Sequence, residues 1–196
     1  MRTRIKTYYP EDFNPPSRYN LHTAIWLAKK SLDVSEVIIV VGKNKDGEIS
    51  QEAKLEIWDI YLRGSVGAPI RVIKSENLSP LSHIYREQEN NLEEPFCVAL
   101  DEETANDERF KSYFEAFPNY EVIITPPYHK EDLVSLAQED NIKKFNSFLP
   151  TELTKEDKKI ILGLVKGAEQ EPVDEVLTRG YWKNAISNIL EKAGIK

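Results

Sequence analysis

Five consecutive residues, Val37-Ile38-Ile39-Val40-Val41, are all β-branched and apolar, and Gly42 ends the run. Successive side chains of a strand point to opposite faces, so a run apolar at every position is buried on both. Such a strand belongs in the middle of a parallel sheet covered by helices on each side. The remaining apolar runs fit that frame. Ile5–Tyr9, Ile70–Ile73, Phe96–Leu100 and Val122–Ile124 read as four more strands, the first ended by Pro10, which a central strand excludes, and the last by Pro126-Pro127.

The segments between the runs carry helical periodicity. Leu21, Ile25, Ala28 and Leu32 share one face, widened by Trp26. Ser50 is placed to cap the next helix, with Glu52 in its first turn. Ala53, Ile57 and Ile60 form its inner face, joined by Trp58 and Tyr61, and Gly64 is its stop. Ser79-Pro80-Leu81 turns into a helix reaching Asn90, and Phe110, Tyr113 and Phe114 form an aromatic stripe suited to packing. Strands alternating with helices predict an α/β chain: a Rossmann-like, doubly wound, five-stranded parallel sheet with C-terminal helices. The predicted division is 1–150 for the α/β domain and 151–196 for a helical extension. In the extension, Thr154 and Asp157 suggest a capping box for a helix over 155–166. A last helix over about 173–191 carries Tyr181 and Trp182.

Charge removes some functions. The 196 residues carry 26 basic against 33 acidic side chains, a net charge of -7, which repels a duplex nucleic-acid backbone. The single cysteine, Cys97, lies inside an apolar strand and reads as a small core residue. Met1-Arg2-Thr3-Arg4 leads into no apolar targeting core, and no run approaches membrane length, so a cytoplasmic protein is expected.

In a doubly wound sheet, ligands bind beyond the C-terminal ends of the strands, where strand order reverses. The loop Pro10-Glu11-Asp12-Phe13-Asn14-Pro15-Pro16-Ser17 leads from the first strand into the first helix, and Asp101 follows the fourth strand. Phe13-Asn14-Pro15-Pro16-Ser17 resembles the first motif of the nucleotidyltransferase superfamily. That superfamily contains the cytidylyltransferases and the nicotinamide-nucleotide and pantetheine-phosphate adenylyltransferases. Its pattern is G-R-F-x-P-x-[HT]-x-G-H, with F-N-P-P-T variants among phage-encoded members. Glu36–Gly42, Gln51–Glu56, Ser79-Pro80-Leu81, Asp107–Phe110 and Asn141–Pro150 are similar to later stretches of the same family, so the likeness spans most of residues 1–150.

The resemblance implies nucleotidyl transfer. An acceptor phosphate oxygen attacks the α-phosphorus of a nucleoside triphosphate in line, and pyrophosphate leaves with Mg²⁺. The protein positions the reactants and stabilises charge. By position in the motif, Ser17 and Asn20 stand at the two histidine places, and Tyr19 at the glycine that admits phosphate to the backbone. Glu11 and Asp12 replace Gly and Arg. The resemblance places Tyr9, Phe13, Asn14, Lys54, Asp101 and Arg109 around the nucleotide, with no residue assigned as a metal ligand; His129 and Lys130 are the candidate donors of the last motif. Losing one preorganised donor costs about 10²–10³ in rate, and several are replaced here.

Three readings follow. The first is a diverged member with weakened or lost transfer, kept as a nucleotide-binding or interaction module. The second is an active transferase that uses Mg²⁺ and a rewired site. The third is a structural assembly protein, of a phage virion if phage-encoded, joined to a protein partner or a second copy through its C-terminal helices.

Overall fold

The Val37–Val41 run is the buried end of β2 (Val34–Val41), flanked on one side by β1 (Ile5–Glu11) and on the other by β3 (Ile70–Lys74). In this computed structural model, residues 5–30, 34–43, 48–63, 69–76, 79–128 and 131–167 are described, without the side chains of Arg109 and Tyr113. β4 (Phe96–Leu100) and β5 (Tyr120–Ile124) complete the sheet, and every pairing is parallel. The order β3-β2-β1-β4-β5 reverses between β1 and β4. The predicted doubly wound, five-stranded sheet is the one observed.

Alternation of side chains builds two cores. Tyr9, Val37, Ile39, Val41 and Ala99 face one side, against α1 (Arg18–Lys30), α2 (Gln51–Leu62), α6 (Leu133–Gln138), α7 (Ile142–Ser147) and α8 (Lys155–Lys166). Tyr8, Ile38, Val40, Phe96, Val98 and Leu100 face the other, against α3 (Pro80–Glu89) and α5 (Glu108–Phe114). α4 (Glu102–Asn106) is a single short turn ahead of α5. Phe110 and Phe114 pack with Phe117 and Phe96 in the second core, which fits a packing role for the aromatic stripe. Cys97 is buried, and that burial pushes its thiol above the ordinary range.

One boundary differs from expectation. β1 does not stop at Tyr9; it runs through Pro10, paired with Val40, to Glu11, paired with Val41. Its pairing with β4 ends at Tyr8. From Tyr9 onward β1 is therefore an edge on that side, where a residue without an N–H is tolerated. The extension carries Glu11 to the mouth of the sheet.

The capping predictions hold in detail. The Ser50 hydroxyl accepts from the Ala53 N–H at 3.1 Å. Thr154 and Asp157 bond reciprocally, each side chain accepting from the other's backbone N–H at 3.1 Å. α8 buries Ile161 and Val165 in the first core, within the compact unit Met1–Lys166. Among the described residues, no helix is long and apolar enough to cross a membrane. Gly64, His129, Lys130 and the helix expected over 173–191 lie outside the described residues.

Candidate functional site

The loop between β1 and α1 is fixed by side chains from three directions. Phe13 adopts a left-handed backbone with φ 49, which costs a β-carbon-bearing residue roughly 1–2 kcal/mol. Its ring offsets that cost by packing edge-on against Tyr9 at 5.4 Å and Trp58 at 5.2 Å. The Asn14 Oδ1 accepts from the Ile49 N–H at 3.0 Å. The buried Tyr61 hydroxyl donates to the Pro16 carbonyl at 2.8 Å. Phe13 and Asn14 thus shape the loop through the protein's own interior; both still line the pocket beside it.

Ser17 stands immediately before α1, and Asn20 in the first turn reaches back to it. The Asn20 Oδ1 accepts from the Ser17 N–H at 2.8 Å and from the Ser17 hydroxyl at 2.9 Å. The first helical N–H, of Arg18, donates to the Phe148 carbonyl at 2.8 Å. On its other end, the Asn20 Nδ2 faces Glu11 Oε2 at 2.8 Å, the Tyr128 hydroxyl at 3.0 Å and the Tyr9 hydroxyl at 3.2 Å. The amide has two hydrogens for three acceptors, so the shortest contact, to Glu11, takes one and the two phenols compete for the other.

Glu11 is the hub. Tyr9 donates to its Oε2 at 2.8 Å, and Tyr128 donates to its Oε1. Burial, followed by the charge of Glu11, pushes both phenols above their ordinary range, so both remain protonated donors. One carboxylate therefore gathers one amide and two hydroxyl donors at the start of α1. Tyr128 comes from the chain just after β5, and its ring stacks on Tyr19 at 5.7 Å with the planes 12° apart. Tyr19, at the place where the family pattern has glycine, covers Tyr128 rather than leaving the helix start open.

Glu11, Asn14, Ser17, Asn20 and Tyr128 line a cavity of about 490 Å³ at the reversal point between β1 and β4. Apolar walls come from Phe13, Leu81, Leu133 and Phe148. Glu11, Asp12, Asp101 and Glu131 supply four carboxylates, and the described lining residues include no Lys, Arg or His. Glu131 is paired with Lys144 at 3.1 Å. Asp101 is at once a wall and the cap of α4, accepting from the Thr104 N–H at 2.8 Å. Among the described residues, no group of three or more His, Cys, Asp or Glu is arranged to hold a metal ion.

The expected site residues separate into two groups. Phe13, Asn14, Ser17, Asn20 and Asp101 meet at the cavity, and Tyr9 supports it from beneath through its hydroxyl. Lys54 is elsewhere: it is 1% exposed, paired with Glu48 at 2.6 Å, and not among the lining residues. It shares the inward stripe of α2 with Gln51, Trp58 and Tyr61, at spacings of three and four. Arg109 falls on α5, but its side chain is outside the described residues. Glu11, expected only as the replacement of a motif glycine, and Tyr128, unexpected, complete the network. Tyr128's position, one residue past Pro126-Pro127 at the end of a strand, was the only sequence signal for it.

No protein-family model matches the chain, and neither does any curated protein. Solved structures do. The nicotinic acid mononucleotide adenylyltransferase of Plasmodium falciparum, complexed with NaAD, aligns with a TM-score of 0.59 at 13% identity, over 83% of this chain and 97% of that one. The same enzyme complexed with APC gives 0.50 at 14% identity, over 83% and 94%. A protein of Vibrio parahaemolyticus described as a nicotinate-nucleotide adenylyltransferase gives 0.58 at 13%, over 82% and 99%. At these identities the shared property is the fold, and it is the fold that the Phe13–Ser17 motif implied.

Proposed function

We propose that this chain is a diverged, cytidylyltransferase-like protein of the nucleotidyltransferase fold that has lost transfer and keeps its pocket for binding. The observation that carries this reading is the commitment of Ser17 and Asn20. Transfer needs donors aimed at charge developing on a phosphoryl group. Here the Asn20 carbonyl end holds Ser17, and its amide end holds Glu11, so both motif positions serve the local fold. Lys54, a candidate replacement cation, is bound inside the protein to Glu48. The similar solved structures are complexed with NaAD and APC, which supports a pocket of nucleotide dimensions.

The test is pyrophosphate release from each nucleoside triphosphate, with Mg²⁺ and a panel of phosphorylated acceptors. The expected result is no release above the protein-free rate. Sustained turnover that disappears in Asn20→Ala would overturn the reading.

A further inference from the structure

The two edges of the sheet are built differently. β3 carries Arg71 and Lys74, paired with Glu36 at 2.9 Å and Glu52 at 2.8 Å. Charged side chains of this kind discourage an edge from pairing with another strand. β5 has one charged residue, Glu121, and no proline, and it exposes Val122 at 36% and Ile124 at 46%. These two lie level with Val98 and Leu100, on the face of the second core. Phe114 packs on Tyr120 at the start of that face, and the apolar stripe beyond it is left open. Among the described residues, β5 is paired on its β4 side alone. We propose that this edge pairs with the same edge of a second copy, antiparallel about a two-fold axis, so that the sheet continues across a homodimer.

The backbone of β5 is turned for such a contact. The Thr125 N–H donates to the Leu100 carbonyl at 2.8 Å, and the Asn119 carbonyl accepts from the Phe96 N–H at 3.2 Å. In a parallel ladder alternate residues bond to one neighbour, so Tyr120, Val122 and Ile124 turn their N–H and C=O groups to the open edge. Charge then selects the register. Pairing Glu121 with its own copy sets like charges directly opposite, which is unfavourable. Pairing Val122 with its copy leaves the two carboxylates about 7 Å apart along the strands, inside the screening length of about 8 Å. Pairing Val122 with Ile124 of the other copy separates them by about 13 Å. It also sets Ile123 against its copy and joins the exposed apolar side chains into one cross-strand cluster on a single face. The edge is thus complementary to itself in one register, which favours a second copy over an unrelated strand. A contact of one short strand is at the small end of protein interfaces, so the dimer should form reversibly.

The experiment is sedimentation velocity on the full-length chain, from micromolar to submillimolar concentrations. Wild type should show a monomer–dimer equilibrium. Val122→Lys and Ile124→Glu, both at exposed positions, should each weaken it at least tenfold while keeping a native circular-dichroism spectrum. The double variant should regain dimer, because each introduced ammonium then faces the other copy's introduced carboxylate. A wild-type chain that stays monomeric would overturn the proposal, as would a dimer that neither single variant weakens or that the double variant fails to restore. Hydrogen exchange of the Val122 and Ile124 amides should slow as wild type dimerises. Slow exchange already present in a monomer would mean that the chain covers this edge itself, and would equally overturn it.

Discussion

Asn20→Ala separates a structural keystone from a catalytic donor. Asn20 is 3% exposed and joins Ser17, just ahead of α1, to the Glu11 network. Truncation leaves the buried Ser17 N–H without its acceptor, a cost of about 1–3 kcal/mol. It also removes the amide donor from a carboxylate, and hydrogen bonds to charged groups contribute about 1.5–3 kcal/mol. Allowing for partial relaxation, the expected loss is roughly 3–5 kcal/mol. For a domain of this size each kcal/mol lowers Tm by about 2–4 °C, so the melting point should fall by roughly 10 °C. The assay is urea denaturation of the full chain, read by tryptophan fluorescence and far-ultraviolet circular dichroism. The midpoint should fall with the slope unchanged. A double-mutant cycle with Glu11→Gln should return a coupling of about 1–2 kcal/mol. A residue held ready for an incoming phosphate would have little structural role. A loss below about 1 kcal/mol with no coupling would therefore refute the reasoning.

Two further outcomes test other parts of the molecule. Lys54→Met should destabilise the fold by about 1.5–3 kcal/mol in the same urea assay, because it removes the charged donor of the part-buried Glu48, while leaving ligand affinity at the pocket unchanged. Asp132→Ala should cost about 1 kcal/mol at neutral pH by removing the cap of α6. The Ser135 hydroxyl, followed by the Ser135 N–H, holds the Asp132 carboxyl below its ordinary range. A carboxyl lowered in the folded state contributes stability that is fully present above its unfolded value and lost as pH falls through the folded one. The gap between wild type and variant should thus close below about pH 4 in urea midpoints measured across pH.

The fold was readable because its signals are local. The Val37–Val41 run demanded burial on both faces, and the Ser50 and Thr154 caps announced themselves by residue type at the helix starts. Pro10 misled because a strand rule applies to paired neighbours, and the sequence does not say where the β4 pairing stops. The frame of the site was equally local, since Phe13 to Ser17 are contiguous. The network was not. Tyr128 meets Asn20 across 108 positions of sequence, and a neutral phenol carries no charge to mark it as a site residue. Lys54 shows the opposite error. Its charge suggested a ligand or solvent, although its spacing from Gln51, Trp58 and Tyr61 already placed it on an inward face.

The bond from the Arg18 N–H to the Phe148 carbonyl bears on how this pocket can change over generations. It ties the first turn of α1 to the end of α7, a segment far along the chain that also forms a wall of the cavity. Histidine at position 20 would take from Ser17 the acceptor of its N–H and hydroxyl while leaving Glu11 and the Phe148 carbonyl in place. Glycine at position 11 would open the charge centre while leaving the helix start engaged. Neither substitution alone frees the helix start, because the Arg18 N–H stays on the Phe148 carbonyl. The contact couples the first turn of α1 to a wall of the cavity, so a change in either is felt by the other.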